Sequence, residues 1–427
     1  MSIASLALVV MISRASAGEA VREFSIASFG AAGGSSTLCT TAIQKAVDEA
    51  ARAGGGRVVV PKGNYLSGPF VLKSGVDFHL AEGAVLRMSN EPSLYPVTRN
   101  SRQSFIAAEN AHDIRLSGKG IIDGQGASWW KAFLAEKSSG VKNAPRRPQL
   151  IAFHKCERVT VEDIKTLNPP NTHYSFKQCR DLTIRDIKAE APDDSANTDA
   201  LNLSHVKNVL ITGCDISTGD DNIVLLCGDA RTPGVPEVEN VTIRDCRIGF
   251  GHGISIGSHT SGGIRNVSVE RVSFDGTTSG IRMKAREDNG GIVENIRFRE
   301  IKMKNVRYPI YISSYYPKVP AHPSREASLP KGARVPIWRN VTIESLVAEG
   351  CRNSIILWGH PREPIQGVTL RDVKISAKTG ALVFHARDVL FSDVVLDSQA
   401  GPSLRTFRAS VTGMVDEPVG DAIIKFQ

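Results

Sequence analysis

The chain has 427 residues, 41% hydrophobic and 22% charged, and its 52 Lys and Arg against 44 Asp and Glu leave a formal net charge of +8. Apolar content on that scale excludes a disordered chain, and 38 glycines without a fixed period exclude a collagen-like one. Seven cysteines are too sparse for a disulfide framework, no CxxC or HExxH spacing points to a metal site, and the basic balance favours an acidic partner.

The chain opens on a short apolar run, Leu6 to Ile12, followed by Ala15-Ser16-Ala17, the small-residue pattern of a signal-peptidase site. The run is too short to span a bilayer as a helix. Although no Lys or Arg precedes it, it reads as a signal peptide over residues 1–17 rather than as a buried strand. The expectation is a protein exported to the periplasm or the extracellular space, with no membrane segment in its mature form. Residues 18–427 contain no Pro- or Gly-rich linker and read as a single domain.

The next element is a helix. Thr40 or Thr41 can cap a run in which Ile43, Ala46, Val47 and Ala50 share a face, and Gly54-Gly55-Gly56 ends it. From Ile114 onward a period of two takes over. Triplets of the form apolar–x–apolar begin at Ile114, Val159, Leu182, Val209, Val241, Val267, Ile296, Val341, Val368 and Val389. Their spacings run from 21 to 32 residues, apart from two of 45 that contain loop insertions. Short half-buried strands at near-constant spacing, with no helix between them, predict an all-β parallel β-helix of about ten coils, capped by the N-terminal helix. Asn208, Asn240, Asn266, Asn295 and Asn340 each directly precede a triplet, where Asn can take a left-handed turn and bond along the stack. Cys156 and Cys179 share an offset that other coils fill with Val206, Val238, Ile264 and Trp338. They are expected in the core, as are Cys214 and Cys246 at another apolar offset.

A second strand family lies between these triplets: Leu201-Asn-Leu203, Ile223-Val-Leu225, Ile254-Ser-Ile256, Ile281-Arg-Met283 and Ile310-Tyr-Ile312. Asp199, Asp221 and His252 each stand two residues before such a strand, Asp220 adjoins Asp221, and Arg282 and Lys284 alternate with Ile281 and Met283. Each residue alone reads as a turn former or a solvated strand face. On successive coils about 4.8 Å apart, however, they would share one cleft about 15 Å long. Clustered carboxylates suit glycoside hydrolysis, in which one acid protonates the leaving oxygen and another activates water. Asp220 and Asp221 cannot both ionise freely in a partly desolvated cleft, so one of the two is expected to hold a proton near neutral pH.

Asn197-Thr198-Asp199, Gly219-Asp220-Asp221, Gly251-His252-Gly253 and Arg282-Met283-Lys284 resemble, in order, the four motifs of the polygalacturonases, glycoside hydrolase family 28. The resemblance extends to Phe29-Gly30-Ala31, to Gly55 through Pro61 and to Cys246 through Ser258, and covers roughly residues 25 to 400. It implies a right-handed parallel β-helix, no cofactor and an inverting hydrolysis of α-1,4-galacturonan. Asp220 would be the general acid, Asp199 and Asp221 would activate water, and His252 would tune the acid. Arg282 and Lys284 would bind the uronate carboxylate, with Asn197 and Tyr316 (or the adjacent Tyr315) as further substrate contacts. Met283 replaces the usual Ile at a position expected to face inward. Related rhamnogalacturonan hydrolases generally lack the basic pair, so its presence favours homogalacturonan.

Three rivals remain: a calcium-dependent pectate lyase, a rhamnogalacturonan hydrolase and a non-catalytic polysaccharide-binding β-helix. No aromatic-interleaved basic strip suggests nucleic acid. The expected state is a monomer acting on an acidic polysaccharide, with the inserted segments Gln103–Pro148 and Pro317–Pro336 as candidate walls at the cleft ends. Arg282→Ala is expected mainly to weaken substrate binding.

Overall fold

A computed structural model of the chain describes residues 21–97, 102–140, 146–229, 237–288, 290–324, 329 and 331–419. The signal peptide expected at 1–17 lies outside the described residues.

The sequence triplets form one parallel sheet along the solenoid. Ile114 pairs with Val159, and the column continues through Leu182, Val209, Val241, Val267, Ile296, Val341 and Val368 in unbroken register. Alternation dictates which side is buried. The first and third residues of each triplet point into the solenoid, and Val159, Val161, Val209 and Ile211 are all buried. The second strand family forms another parallel sheet, in which Tyr174–Lys177, Leu201–Ser204, Ile223–Cys227, Ile254–Thr260, Ser279–Lys284, Tyr308–Ser313 and Ile355–Trp358 pair in turn. Its inward residues, Met283 among them, are buried. A third sheet is built partly from three-residue strands, Lys165–Leu167, Lys188–Glu190 and Asp215–Ser217. Each offers one buried residue, Thr166, Ala189 or Ile216, which is too few to display an alternation in sequence. Among the described residues parallel pairing joins 31 strands, so the fold is a parallel β-helix. All seven cysteines are buried and unpaired, as core residues.

The residue before each triplet is left-handed in every coil. Asp113, Arg158, Asp181, Asn208, Asn240, Asn266, Asn295, Asn340 and Asp388 have φ between 52° and 58°, and Gly367 has φ 65°. Asn side chains bond along this column, from Asn340 to Asn295, Asn266, Asn240 and Asn208 at 3.1–3.3 Å, and Asn208 donates to Asp181 at 2.9 Å. Asn266→Ala should therefore lower stability by ~1–3 kcal/mol, combining left-handed strain with lost hydrogen bonds. Asn266→Gly should lose less, because Gly takes that φ without strain. Equal losses in urea unfolding would show that backbone strain is not involved.

Helix α1, Thr40–Arg52, buries Ala42, Ile43, Ala46, Val47 and Ala50 and covers the first coils. Neither threonine caps it. The N-cap is Cys39, whose side chain makes no capping bond, and the Thr40 hydroxyl instead accepts from the Gly68 amide at 2.7 Å, tying the helix to the coil beneath. Helix α2, Ala127–Ser138, was not expected, because it has no apolar stripe and buries only Trp129. Among the described residues no helix is long and apolar enough to cross a membrane.

Candidate active site

The strand pairing decides which side chains meet. Leu201, Ile223, Ile254 and Ile281 are register partners on four successive coils, so residues two positions before them stack as well. Asp199, Asp221 and His252 thereby face one cleft, and the His252 amide donates to the Asp220 carbonyl at 2.9 Å. Two glycines make the approach of His252 possible. A Cβ on Gly251 (φ 125°) would lie 2.6 Å from the Asn222 amide oxygen, and one on Gly253 (φ 76°) would lie 2.0 Å from the Ser279 carbonyl. Buried Asn222 ties the two coils together, donating to the Phe250 carbonyl at 2.9 Å and accepting from the Gly253 amide at 2.8 Å.

The outward residues of the site sheet form a second column: Asn202, Val224, Ser255, Arg282 and Tyr311. Asp221 takes two of them, Ser255 and Arg282, together with Lys284. Its Oδ1 accepts from Ser255 Oγ at 2.6 Å and from Arg282 at 3.1 Å, and its Oδ2 accepts from Lys284 Nζ at 2.9 Å. These are charge-assisted bonds in a nearly dry setting, with the side chains of Asp221 and Lys284 only 9% and 6% exposed. His252 Nδ1 lies 2.9 Å from Asp220 Oδ1 and 3.8 Å from Asp221 Oδ1.

The acids are tuned apart, though not as the sequence suggested. The raised group is Asp199, pushed up to about 7 by burial and then by the charges of Asp221 and Asp220, against the Asn202 amide donated at 2.9 Å. Asp220 moves the other way. Burial alone would raise its pKa, but the hydrogen bond and charge of His252, the charge of Lys284 and the Asp221 amide outweigh it and hold the carboxyl low. Of the Asp220–Asp221 pair expected to contain a raised acid, Asp220 is held low instead; the carboxyl pushed up is that of Asp199, which among the described residues has no cation in direct contact to offset its burial.

The further substrate contacts expected at Asn197 and Tyr316 also find places. Asn197, with φ 56°, donates from Nδ2 to Asp220 Oδ2 at 3.2 Å. The Tyr316 ring faces Lys284 Nζ at 5.2 Å and lines a cleft of about 340 Å³ with His252, Arg282, Tyr308 and Tyr311. Tyr315 is buried instead, its ring 5.7 Å from that of His360. Larger grooves, of about 490, 500 and 660 Å³, contain none of the clustered acids. Sequence reading missed Asn202, Ser255, Asn222 and Arg147. The alternation that exposed Arg282 would also have exposed Asn202 and Ser255, whereas Asn222 and Arg147 give no sequence signal. Among the described residues, the metal-ligand types that gather within 4.8 Å are Asp220, Asp221 and His252.

Because Arg282 touches Asp221, Arg282→Ala should do more than weaken binding. Removing one of the two cations that hold a buried carboxylate is expected to lower kcat/KM by ~30- to 1,000-fold, with kcat falling as well as KM rising. Steady-state kinetics with kcat unchanged would show that the Asp221 contact is idle in turnover.

Among known proteins, residues 53–392 match the family model described as Glycosyl hydrolases family 28. Endo-polygalacturonase of Pectobacterium parmentieri is 31% identical over 366 residues, which is 80% of this chain and 85% of that protein. The solved polygalacturonase from Erwinia carotovora ssp. carotovora superposes with a TM-score of 0.73 at 26% identity, covering 93% of this chain and 99% of that one. The family 28 exopolygalacturonase of Yersinia enterocolitica gives 0.76 at 20% identity over 94% and 79% of the two chains, a likeness of fold.

Proposed function

The chain belongs to glycosyl hydrolase family 28, and from that premise we propose that it is a polygalacturonase hydrolysing α-1,4-galacturonosyl linkages of homogalacturonan with inversion. The observation that supports this best is the pairing of Arg282 and Lys284 with Asp221 beside a second and a third carboxylate. Two fixed cations at the wall of an acid cluster suit a sugar that carries its own carboxylate.

In this reading Asp220 gives its proton to the glycosidic oxygen as the bond from that oxygen to the anomeric carbon breaks. Water held by Asp199 and Asp221 attacks that carbon from the opposite face and leaves its proton on Asp199. One water is consumed and one new reducing end appears. A uronate bound at Arg282 and Lys284 brings negative charge toward Asp220, which favours a proton there. The same step frees Asp199 to act as base, so substrate binding moves the proton where the reaction needs it. His252 holds Asp220 in place through its Nδ1, 2.9 Å from Asp220 Oδ1. Export, a monomeric state and action on pectin outside the cell, as expected from residues 6–17 and the basic balance, belong to the same proposal.

The test is incubation with polygalacturonate and EDTA, following reducing ends and the ultraviolet absorbance of an unsaturated product together. Reducing ends without absorbance are expected. Absorbance that appears only when calcium is restored would replace this reading with a lyase, and silence in both channels would direct the search to rhamnogalacturonan.

A further inference from the structure

Arg147 lies in the long insertion between Ile114 and Val159, outside every recognised motif, yet its guanidinium reaches the back of the site. The residue is 7% exposed. One nitrogen donates to the Pro170 carbonyl at 3.0 Å and the Ala196 carbonyl at 2.6 Å, and another donates to Asn197 Oδ1 at 2.8 Å. Its outer face lies against the Phe133 ring, 4.0 Å from the centroid, on helix α2. Burial pulls its own pKa down to about 10, with Asp220 acting in the opposite sense, so it stays charged at neutral pH.

The chemistry of the chain from Arg147 to Asp220 allows one arrangement. A guanidinium has only donors, so Asn197 must turn its oxygen toward Arg147 and its NH₂ toward Asp220. The amide cannot flip while Arg147 is present. Asp220 Oδ1 is already engaged by His252 and by the Asp221 amide at 2.9 Å each. Oδ2 is the oxygen left for a transferable proton, and Asn197 is the group that holds it.

We propose that Arg147 is a positioning residue for proton delivery, fixing through Asn197 the orientation of Asp220 Oδ2 toward the scissile bond. The proposal rests on the hydrolytic reading above, with Asp220 as the acid. It gives the inserted segment a part in the chemistry as well as in the cleft wall. The groups facing Asp220 are Asp199 and Asp221, His252 and Lys284, and the Asn197–Arg147 pair. The Asn197–Arg147 pair can be removed without touching the contacts of Asp221 to Ser255, Arg282 and Lys284.

Arg147→Met and Asn197→Ala test it, with melting curves as a control for folding and Arg147→Lys as the conservative variant. Both substitutions remove a donor or a charge that favours ionised Asp220. The alkaline limb of the kcat profile should therefore move up by about one unit, with kcat at its optimum down ~10- to 100-fold. The double variant should add little to either single change, and Arg147→Lys should recover part of the loss. If Arg147→Met does not fold, Asn197→Ala decides alone. An unmoved limb with the loss confined to KM would overturn the proposal, leaving Asn197 a substrate contact and Arg147 a structural filler. A ¹³C carboxyl titration, with the Asp220 signal assigned by its loss in Asp220→Asn, should show the same upward move in the free protein. An unmoved titration would count against the relay even if wild-type protein proved silent on polygalacturonate, an outcome that would separately sink the hydrolytic reading.

Discussion

Asp220→Asn is expected to lower kcat on polygalacturonate by ~10³-fold or more while the protein still folds, because an amide cannot supply the proton that the leaving oxygen needs. The fold should tolerate the change. Asp220 sits at the cleft wall outside the apolar interior, and an amide oxygen can still accept the Asp221 N–H that now reaches Oδ1 at 2.9 Å. Measurement of kcat at several pH values decides the matter, with circular dichroism to confirm the coil. A variant that kept near wild-type rates would move the acid role elsewhere. Asp199, whose carboxyl is held up to about 7 in the free cleft, would be the next group to examine.

Asp199→Asn should separate activity from stability. Turnover should be lost, because the base that takes the proton of the attacking water is gone, at a cost of ~10²- to 10⁴-fold in kcat. Stability should rise, with a sign and a pH window set by the titration. In an unfolded chain an aspartate titrates near ~4, whereas here burial and the two neighbouring acids push it to about 7. Between those values the folded state binds a proton that the unfolded chain has released. The carboxyl therefore loses stabilising influence as pH rises through the window, and is most unfavourable above it. An amide at this position avoids that charge. The variant should match wild type near ~pH 4 and exceed it by ~1–4 kcal/mol near ~pH 8, in urea unfolding at both pH values. A variant less stable than wild type at the higher pH would mean that Asp199 is better solvated or better paired than its setting indicates.

The elements legible in sequence share a physical property. Period-two alternation marks a strand only where it is long enough to show both faces, which holds for Val159-Thr-Val161 and Ile281-Arg-Met283 and fails for the three-residue strand Lys188–Glu190. The third sheet was therefore invisible although it completes every coil it enters. Helix α2 was missed for a related reason, since it rests on the solenoid through Trp129 rather than through an apolar stripe. At the site, Asp199, Asp221, His252, Arg282 and Lys284 could be read from their fixed offset to inward residues, because register turns equal offsets into neighbours. The distribution of protons could not. It depends on which acid receives the cations, and that is a matter of reach, with Lys284 extending to Asp221 and not to Asp199. Arg147 was beyond sequence reasoning altogether, arriving from an insertion with no periodicity to place it.

The left-handed residue that opens each triplet works as an address mark, restarting the count on every turn. Ile114 and Val159 stand 45 residues apart and Val159 and Leu182 only 23, yet both pairs meet in the same register. Extra chain is absorbed between one mark and the next, and no error is passed down the stack. The coil thus keeps location separate from content, so a turn can lengthen to carry a helix, a wall or an arginine without moving the acids by one position. On this basis the reach of the cleft and the identity of its lining are free to diverge, while the spacing of the clustered acids is held by residues that never touch them.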